Sequence, residues 1–70
     1  MNKTLLRAAI ARNNDTQGML AKALDLPQSS ISNRVNGKID FKLREIKCIR
    51  KRYKLTAEET VDIFFEDPVS

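Results

Sequence analysis

Residues 17–36 read QGMLAKALDLPQSSISNRVN, two short apolar-periodic segments on either side of Asp25-Leu26-Pro27. Thr16 can cap the first segment, which the pattern extends from Gln17 to about Leu24 with Met19, Leu20, Ala21 and Leu24 on its apolar side. Pro27 cannot continue that helix but suits the first position of the next. The next helix is predicted from about Gln28 to Asn36, and Gly37 stands where a left-handed residue ends a helix. Two short helices joined by a turn of about three residues form a helix-turn-helix arrangement. Ala21 is small where the pair must cross. Leu20, Leu24, Leu26, Ile31 and Val35 are apolar where the pair must pack on the rest of the chain.

The second of these helices carries the functional signal. With Gln28 at zero on a helical wheel, Ile31 and Val35 lie near about 300° and 340° and define the inner side. Ser32, Ser29, Asn36 and Asn33 fall between about 40° and 140°, so the outer stripe is small and rich in hydroxyl and amide groups. The helix holds no acid. A merely solvated helix usually carries Glu and Lys there, because Ser and Asn are poor helix formers. Base edges are one reason to accept that cost: Gln and Asn can bond adenine with two hydrogen bonds, and Ser can donate or accept. The predicted base contacts are therefore Gln28, Ser29, Ser32 and Asn33. Thr16 and Gln17 open a helix whose N-terminal amides favour a phosphate. Asn36, Lys38, Lys42 and Arg44 follow the outer stripe and are the predicted contacts to a duplex backbone.

Outward from this stretch the chain continues to read as helix. Asn2 can cap a first helix over about residues 3–13, with Leu5, Leu6, Ala9 and Ile10 on one face and Lys3 and Arg7 off it. The run Asn13-Asn14-Asp15 stops it. Lys38 to Lys42 form a loop with Ile39 and Phe41 as inward candidates. A fourth helix is predicted from about Leu43 to Tyr53, with Leu43, Ile46, Ile49 and Tyr53 on its apolar side. Thr56-Ala57-Glu58-Glu59 fits a capping box for a fifth helix, whose apolar face is Val61, Phe64 and Phe65 and which Asp67-Pro68 ends. Ile63 falls away from that face. An exposed Ile63 and Phe65 then suggest a weak dimer or partner surface. The expectation is an all-α chain of five helices forming a single domain over residues 1–70, with an acidic helix and tail over 56–70.

Charge is segregated along the chain. Residues 1–54 hold all 13 Lys and Arg against four acids, a balance of +9; residues 55–70 hold five acids and no base, a balance of −5. A basic body with an acidic end fits a polyanion on one side. Arg50, Lys51, Arg52 and Lys54 read as a solvated face that adds long-range attraction. The one cysteine, Cys48, forms no internal disulfide, and with no histidine a structural zinc site is all but excluded. No cofactor is expected. An enzyme is not expected either: there is no His, no nucleophile beside a plausible base and no phosphate loop. The charged N-terminal residues MNKTLLRAAIARN do not read as a secretory segment, and no run approaches a membrane span, so the expected location is cytoplasmic.

The stretch TQGMLAKALDLPQSSISNRVNGK resembles the helix-turn-helix of the lambda-repressor-like superfamily, which includes the Cro and repressor proteins of temperate phages. The continuation IDFKLREIKCIRKRYKLTAEETVDIFF resembles the fourth- and fifth-helix region of small Cro-like regulators from phages of Gram-positive bacteria. The similarity spans roughly residues 4–66. It implies a five-helix fold, operator binding in the major groove and often a homodimer, in a bacterial host cell. It implies a phosphate contact at Gln17, base contacts at Gln28, Ser29, Ser32 and Asn33, and backbone roles at Asn36, Gly37 and Lys38. The chain departs from the family pattern twice. Asp25 stands where the turn usually has Gly and would have to bear a left-handed conformation, which Asp tolerates better than most residues. Arg34 stands where the family usually has an apolar residue; it would lie along the domain edge toward a phosphate, or mark a slight rotation of the helix.

Two functions follow as expectations. One is a transcriptional regulator that binds double-stranded operator DNA in the choice between lytic and lysogenic growth. The other is a modulator or antirepressor that binds a cognate phage repressor, for which Arg34, Ile63 and the acidic end would matter most.

Overall fold

The computed structural model describes residues 1–65. Its regular elements are all helical: α1 (Lys3–Arg12), α2 (Gln17–Ala23), α3 (Gln28–Val35), α4 (Leu43–Tyr53) and α5 (Ala57–Thr60), the last continuing as a π-helical turn over Val61–Phe65. The expected stop at Asp67-Pro68 and part of the acidic tail lie outside the described residues.

The helix starts follow the sequence chemistry. Asn2 Oδ1 accepts from the Leu5 amide at 3.1 Å, and Thr16 Oγ1 accepts from the Met19 amide at 3.1 Å. Thr56 and Glu59 form the predicted reciprocal box, at 3.0 and 2.9 Å. The Thr56 amide holds the Glu59 carboxyl below its ordinary pKa. Pro27 is the exception. With ψ at 149° it stands as the cap residue of α3, one position before the expected first helical position, and it offers no side-chain cap.

Each of the first four helices ends the same way. Asn14, Asp25, Gly37 and Lys54 are left-handed, with φ between 52° and 79°. In each case the next residue's amide reaches back to the helix: Asp15 to the Ile10 carbonyl, Leu26 to Ala21, Lys38 to Asn33, Leu55 to Arg50. These paired bonds satisfy carbonyls that a helix end otherwise leaves open, and they turn the chain sharply. Only one of the four positions is glycine.

Leu6, Leu20, Ile31, Val35 and Ile49 are fully enclosed at the centre. α2 packs on α3, while α1 packs on α3 and on the Val61–Phe65 turn. Phe41 anchors the α3–α4 loop by meeting the Phe64 ring edge-on at 5.6 Å. Several apolar expectations are corrected. Leu5, Met19, Ile39, Leu43 and Val61 are exposed rather than inward. On α4 the inner position expected of Leu43 belongs to Glu45. In the last segment Thr60, Ile63 and Phe64, spaced i, i+3 and i+4, face in, while Val61 and Phe65 face out. The Ile63 carbonyl also accepts the Asn2 amide at 2.7 Å, tying the two ends of the described chain together.

A polar hub secures the α1–α2 turn to α4. Asp15 accepts from Arg52 Nε at 2.9 Å, from Arg52 Nη2 at 3.0 Å and from the Tyr53 hydroxyl at 2.5 Å. The Arg52 hydrogen bond, aided by Tyr53 and the Thr16 amide against the opposing effect of burial, lowers the Asp15 pKa from 3.8 to about 2. Burial and Asp15 in turn push the Tyr53 hydroxyl up.

Because the folded pKa of Asp15 lies below the unfolded one, its stabilisation is complete above about 3.8 and is lost as pH falls through about 2. The contribution at neutral pH is at most about 2 kcal/mol. Asp15→Asn is expected to lower urea stability by about that amount at pH 7, with the gap from wild type closing near pH 2. An equal gap at both ends would remove the charge from the explanation. Lys54→Gly is expected to raise stability by about 0.5–1 kcal/mol in the same assay, since Gly bears the left-handed conformation without the Cβ penalty.

Candidate nucleic-acid interface

α2, the turn at residues 24–27 and α3 present one continuous face. Leu20 and Ala21 of α2 and Ile31 and Val35 of α3 are buried, which leaves the opposite sides of both helices outward. Asp25 bears the left-handed conformation at φ 57°, as the departure from glycine required. Gln28 and Ser29 are exposed at the start of α3, and Ser32 and Asn33 are half-buried on the same stripe. The four predicted base-contacting residues are therefore brought together. Gln28 leans back on α2: a Cβ placed on Gly18 would stand 3.5 Å from Gln28 Oε1. The starts of the two helices thus adjoin, with Gln17 half-buried beside them. Thr16 is exposed, but its oxygen is engaged as the α2 cap.

The loop after α3 and the start of α4 carry exposed cations. Lys38, Lys42 and Arg44 are exposed, as expected of backbone contacts. α1 adds two residues that sequence reasoning did not assign. Arg7 Nη2 donates to Asn36 Oδ1 at 2.6 Å, and Asn36 Nδ2 donates to Ser32 Oγ at 3.4 Å. Lys3 lies against Gly37. Their signal was present in the sequence: Lys3 and Arg7 are four residues apart on the polar face of α1. Neither α2 nor α3 carries an acid.

Arg34 is the largest correction. It is 8% exposed and reaches neither the domain edge nor a solvent-facing phosphate position. Its Nε donates to Glu45 Oε1 at 3.0 Å, its Nη2 to Glu45 Oε2 at 3.5 Å and its Nη1 to the Ser30 carbonyl at 3.2 Å. Glu45 Oε1 also accepts the Lys42 amide at 2.8 Å. This is one half of a capping box; the reciprocal half needs a side-chain acceptor, which lysine lacks. Burial alone would raise the Glu45 carboxyl, but the Lys42 amide and the Arg34 guanidinium outweigh it and hold its pKa below the ordinary value.

The predicted partner surface of Ile63 and Phe65 is half lost. Ile63 is 4% exposed, on the inner face with Thr60 and Phe64, whereas Phe65 is 59% exposed. Phe65 lines a groove of about 470 Å³ with Met1, Ile39 and Phe41, beside Asn36 and Gly37. Cys48 is half-buried in a crevice formed with Ala23, Leu24, Arg44 and Glu45. Among the described residues no group of three His, Cys, Asp or Glu side chains could hold a metal ion. No described helix is long and apolar enough to cross a membrane.

No family model, curated protein or solved structure matches the chain. What the face can do is read from its residues.

Removing one partner of the buried pair leaves a bare charge. Arg34→Met alone is expected to cost about 3 kcal/mol in urea unfolding at pH 7. A loss below about 1 kcal/mol would show that Glu45 does not carry an uncompensated buried charge in the variant.

Proposed function

We propose that this protein is a sequence-specific DNA-binding transcriptional regulator of the lambda-repressor-like, Cro-like kind, with α3 as its recognition helix. One observation carries the reading. The outward stripe of α3 is Gln28, Ser29, Ser32 and Asn33, on an acid-free helix whose other side is held by Ile31, Arg34 and Val35. Short amide and hydroxyl side chains of this kind can read base edges in a major groove. Lys38 and Lys42 in the loop after α3, Arg44 at the start of α4 and Gln17 of α2 supply the backbone contacts around the stripe. Thr16 adds a hydroxyl proton beside Gln17, and Asn36, held by Arg7, completes the C-terminal end.

The resemblance of residues 16–38 to phage repressors and Cro proteins supports the same reading and extends it to control of lytic and lysogenic growth. A weak homodimer on a pseudo-palindrome, with half-sites about one helical turn apart, completes the proposal. The modulator alternative rested on Arg34, Ile63 and the acidic end as partner contacts. Arg34 and Ile63 are buried, which leaves that reading without its two central residues.

The test is footprinting on the DNA upstream of the protein's own gene, followed by titration of the protected duplex and a scrambled one. Gln28→Ala is expected to weaken binding to the protected sequence by about 10- to 100-fold and to leave the scrambled duplex unaffected. Lys42→Ala is expected to weaken both duplexes equally and to reduce the salt slope by about one. Equal, weak binding of the wild type to every duplex at physiological salt would reject the proposal, and an unchanged footprint with Gln28→Ala would reject α3 as the reader.

A further inference from the structure

The buried Arg34–Glu45 pair does more than satisfy two charges, because of where it ties the helices. Ile31, Arg34 and Val35 are the buried residues of α3. The two apolar ones pack against the core without directional preference, so they limit the depth of α3 better than its rotation about its own axis. Arg34 lies on the wheel almost opposite the Ser29 and Ser32 stripe. Its guanidinium holds Ser30 one turn earlier on α3 and both oxygens of Glu45 on α4. Glu45 is itself fixed to the Lys42 amide. The pair therefore registers the outward stripe of α3 against the start of α4, where Lys42 and Arg44 precede Glu45. A rotation of α3 by about 20° would carry an outer side-chain tip by about 2 Å, given the width of a helix. Hydrogen-bond readout tolerates only about 0.5 Å.

We infer that Arg34 and Glu45 are positioning residues that fix the rotational setting of α3, and thereby the selectivity of base reading, rather than residues whose main effect is stability. This rests on the DNA-reading function proposed above. A fully paired buried ion pair adds little stability over neutral side chains of similar size, but it imposes one geometry. The guanidinium fork makes that geometry planar and directional, which an ammonium group does not.

The test compares wild type with Arg34→Met/Glu45→Gln, which removes both charges together and keeps an acceptor for the Lys42 amide. Arg34→Lys, which keeps the charge and loses the fork, is the second variant should the first fail to fold. A preferred duplex is first selected by the wild type from a randomised pool, and affinities for it and a scrambled duplex are measured at two salt concentrations. The double variant is expected to lose about 10- to 100-fold in the ratio of preferred to scrambled affinity, a loss of the size carried by one base pair. Scrambled-duplex affinity and salt slope should stay as in the wild type. An unchanged ratio in a folded variant overturns the inference. A second measurement needs no DNA: amide residual dipolar couplings report the orientation of α3 relative to α4. The wild type is expected to fit one rigid orientation and the variant to require a rotated or averaged one. Variant couplings that fit the wild-type orientation also overturn the inference. If the wild type enriches no sequence, the DNA reading itself fails, and the couplings alone decide whether the pair positions α3.

Discussion

Among the described residues two full charges, Arg34 and Glu45, are buried, and the arrangement around them follows from that. A carboxylate that is 3% exposed must be met by donors, since an unpaired buried charge is costly on the scale of a small domain's whole stability. Glu45 is met by three: Nε and Nη2 of Arg34 and the amide of Lys42. Satisfying them requires α3, the α3–α4 loop and the first turn of α4 to be in place at once. The loop in turn is pinned by Phe41 on Phe64, and Phe64 faces inward with Thr60 and Ile63. The inner face of the last segment, the aromatic contact and the ion pair thus support one another. Asp15 with Arg52 and Tyr53 does the equivalent task at the far end of α4, clamping the turn that precedes α2. α4 is in effect a beam held by polar contacts near both ends, with Ile46 and Ile49 packed between them.

The short connections depend on a second constraint. Helices of seven to eleven residues must reverse direction at once, and the repeated left-handed ending makes that possible. Gly37 accepts this conformation freely. Asn14, Asp25 and Lys54 accept it at a cost that the paired backbone bonds offset. Where the returning residue is apolar, as with Leu26 and Leu55, it also packs on the core, so the turn contributes burial as well as direction.

Local chemistry made the helices legible in the sequence. Caps at Asn2, Thr16 and Thr56, the break at Pro27 and the ending at Gly37 all act over a few residues, and the element order follows from them. The outer stripe of α3 was legible for the same reason, since a helical wheel needs only its own segment. What was not legible depends on long-range pairing. Nothing near Glu45 in the sequence announces that it lies inward, because its partner Arg34 is on another helix. A wheel that assigns every charge to solvent then turns α4 toward Leu43. Arg34 was misplaced by the same logic. Asp15 read as a helix stop because its partners lie 37 and 38 residues away. Ile63 was misplaced for a different reason: a wheel turned toward the apolar Val61 and Phe65 points Ile63 outward, whereas the inner face includes the polar Thr60.

α3 by itself is a poor helix. It has eight residues, no side-chain cap at its start, and Ser or Asn at half of its positions. Helices this short do not persist alone in water. Its helicity must come from the three side chains it buries and from the paired bonds at its end, Gly37 to the Arg34 carbonyl and Lys38 to Asn33. That division has a consequence for function. Since Gln28, Ser29, Ser32 and Asn33 contribute little to holding the helix, they can be exchanged for other polar residues with small effects on the fold. The inner side chains define where the helix is; under the proposed DNA-binding function, the outer ones are left to determine what it reads. Under that proposal, a chain with little stability in reserve can change its sequence preference at small cost to the fold because the two tasks are separated, with the charged pair on the inner face.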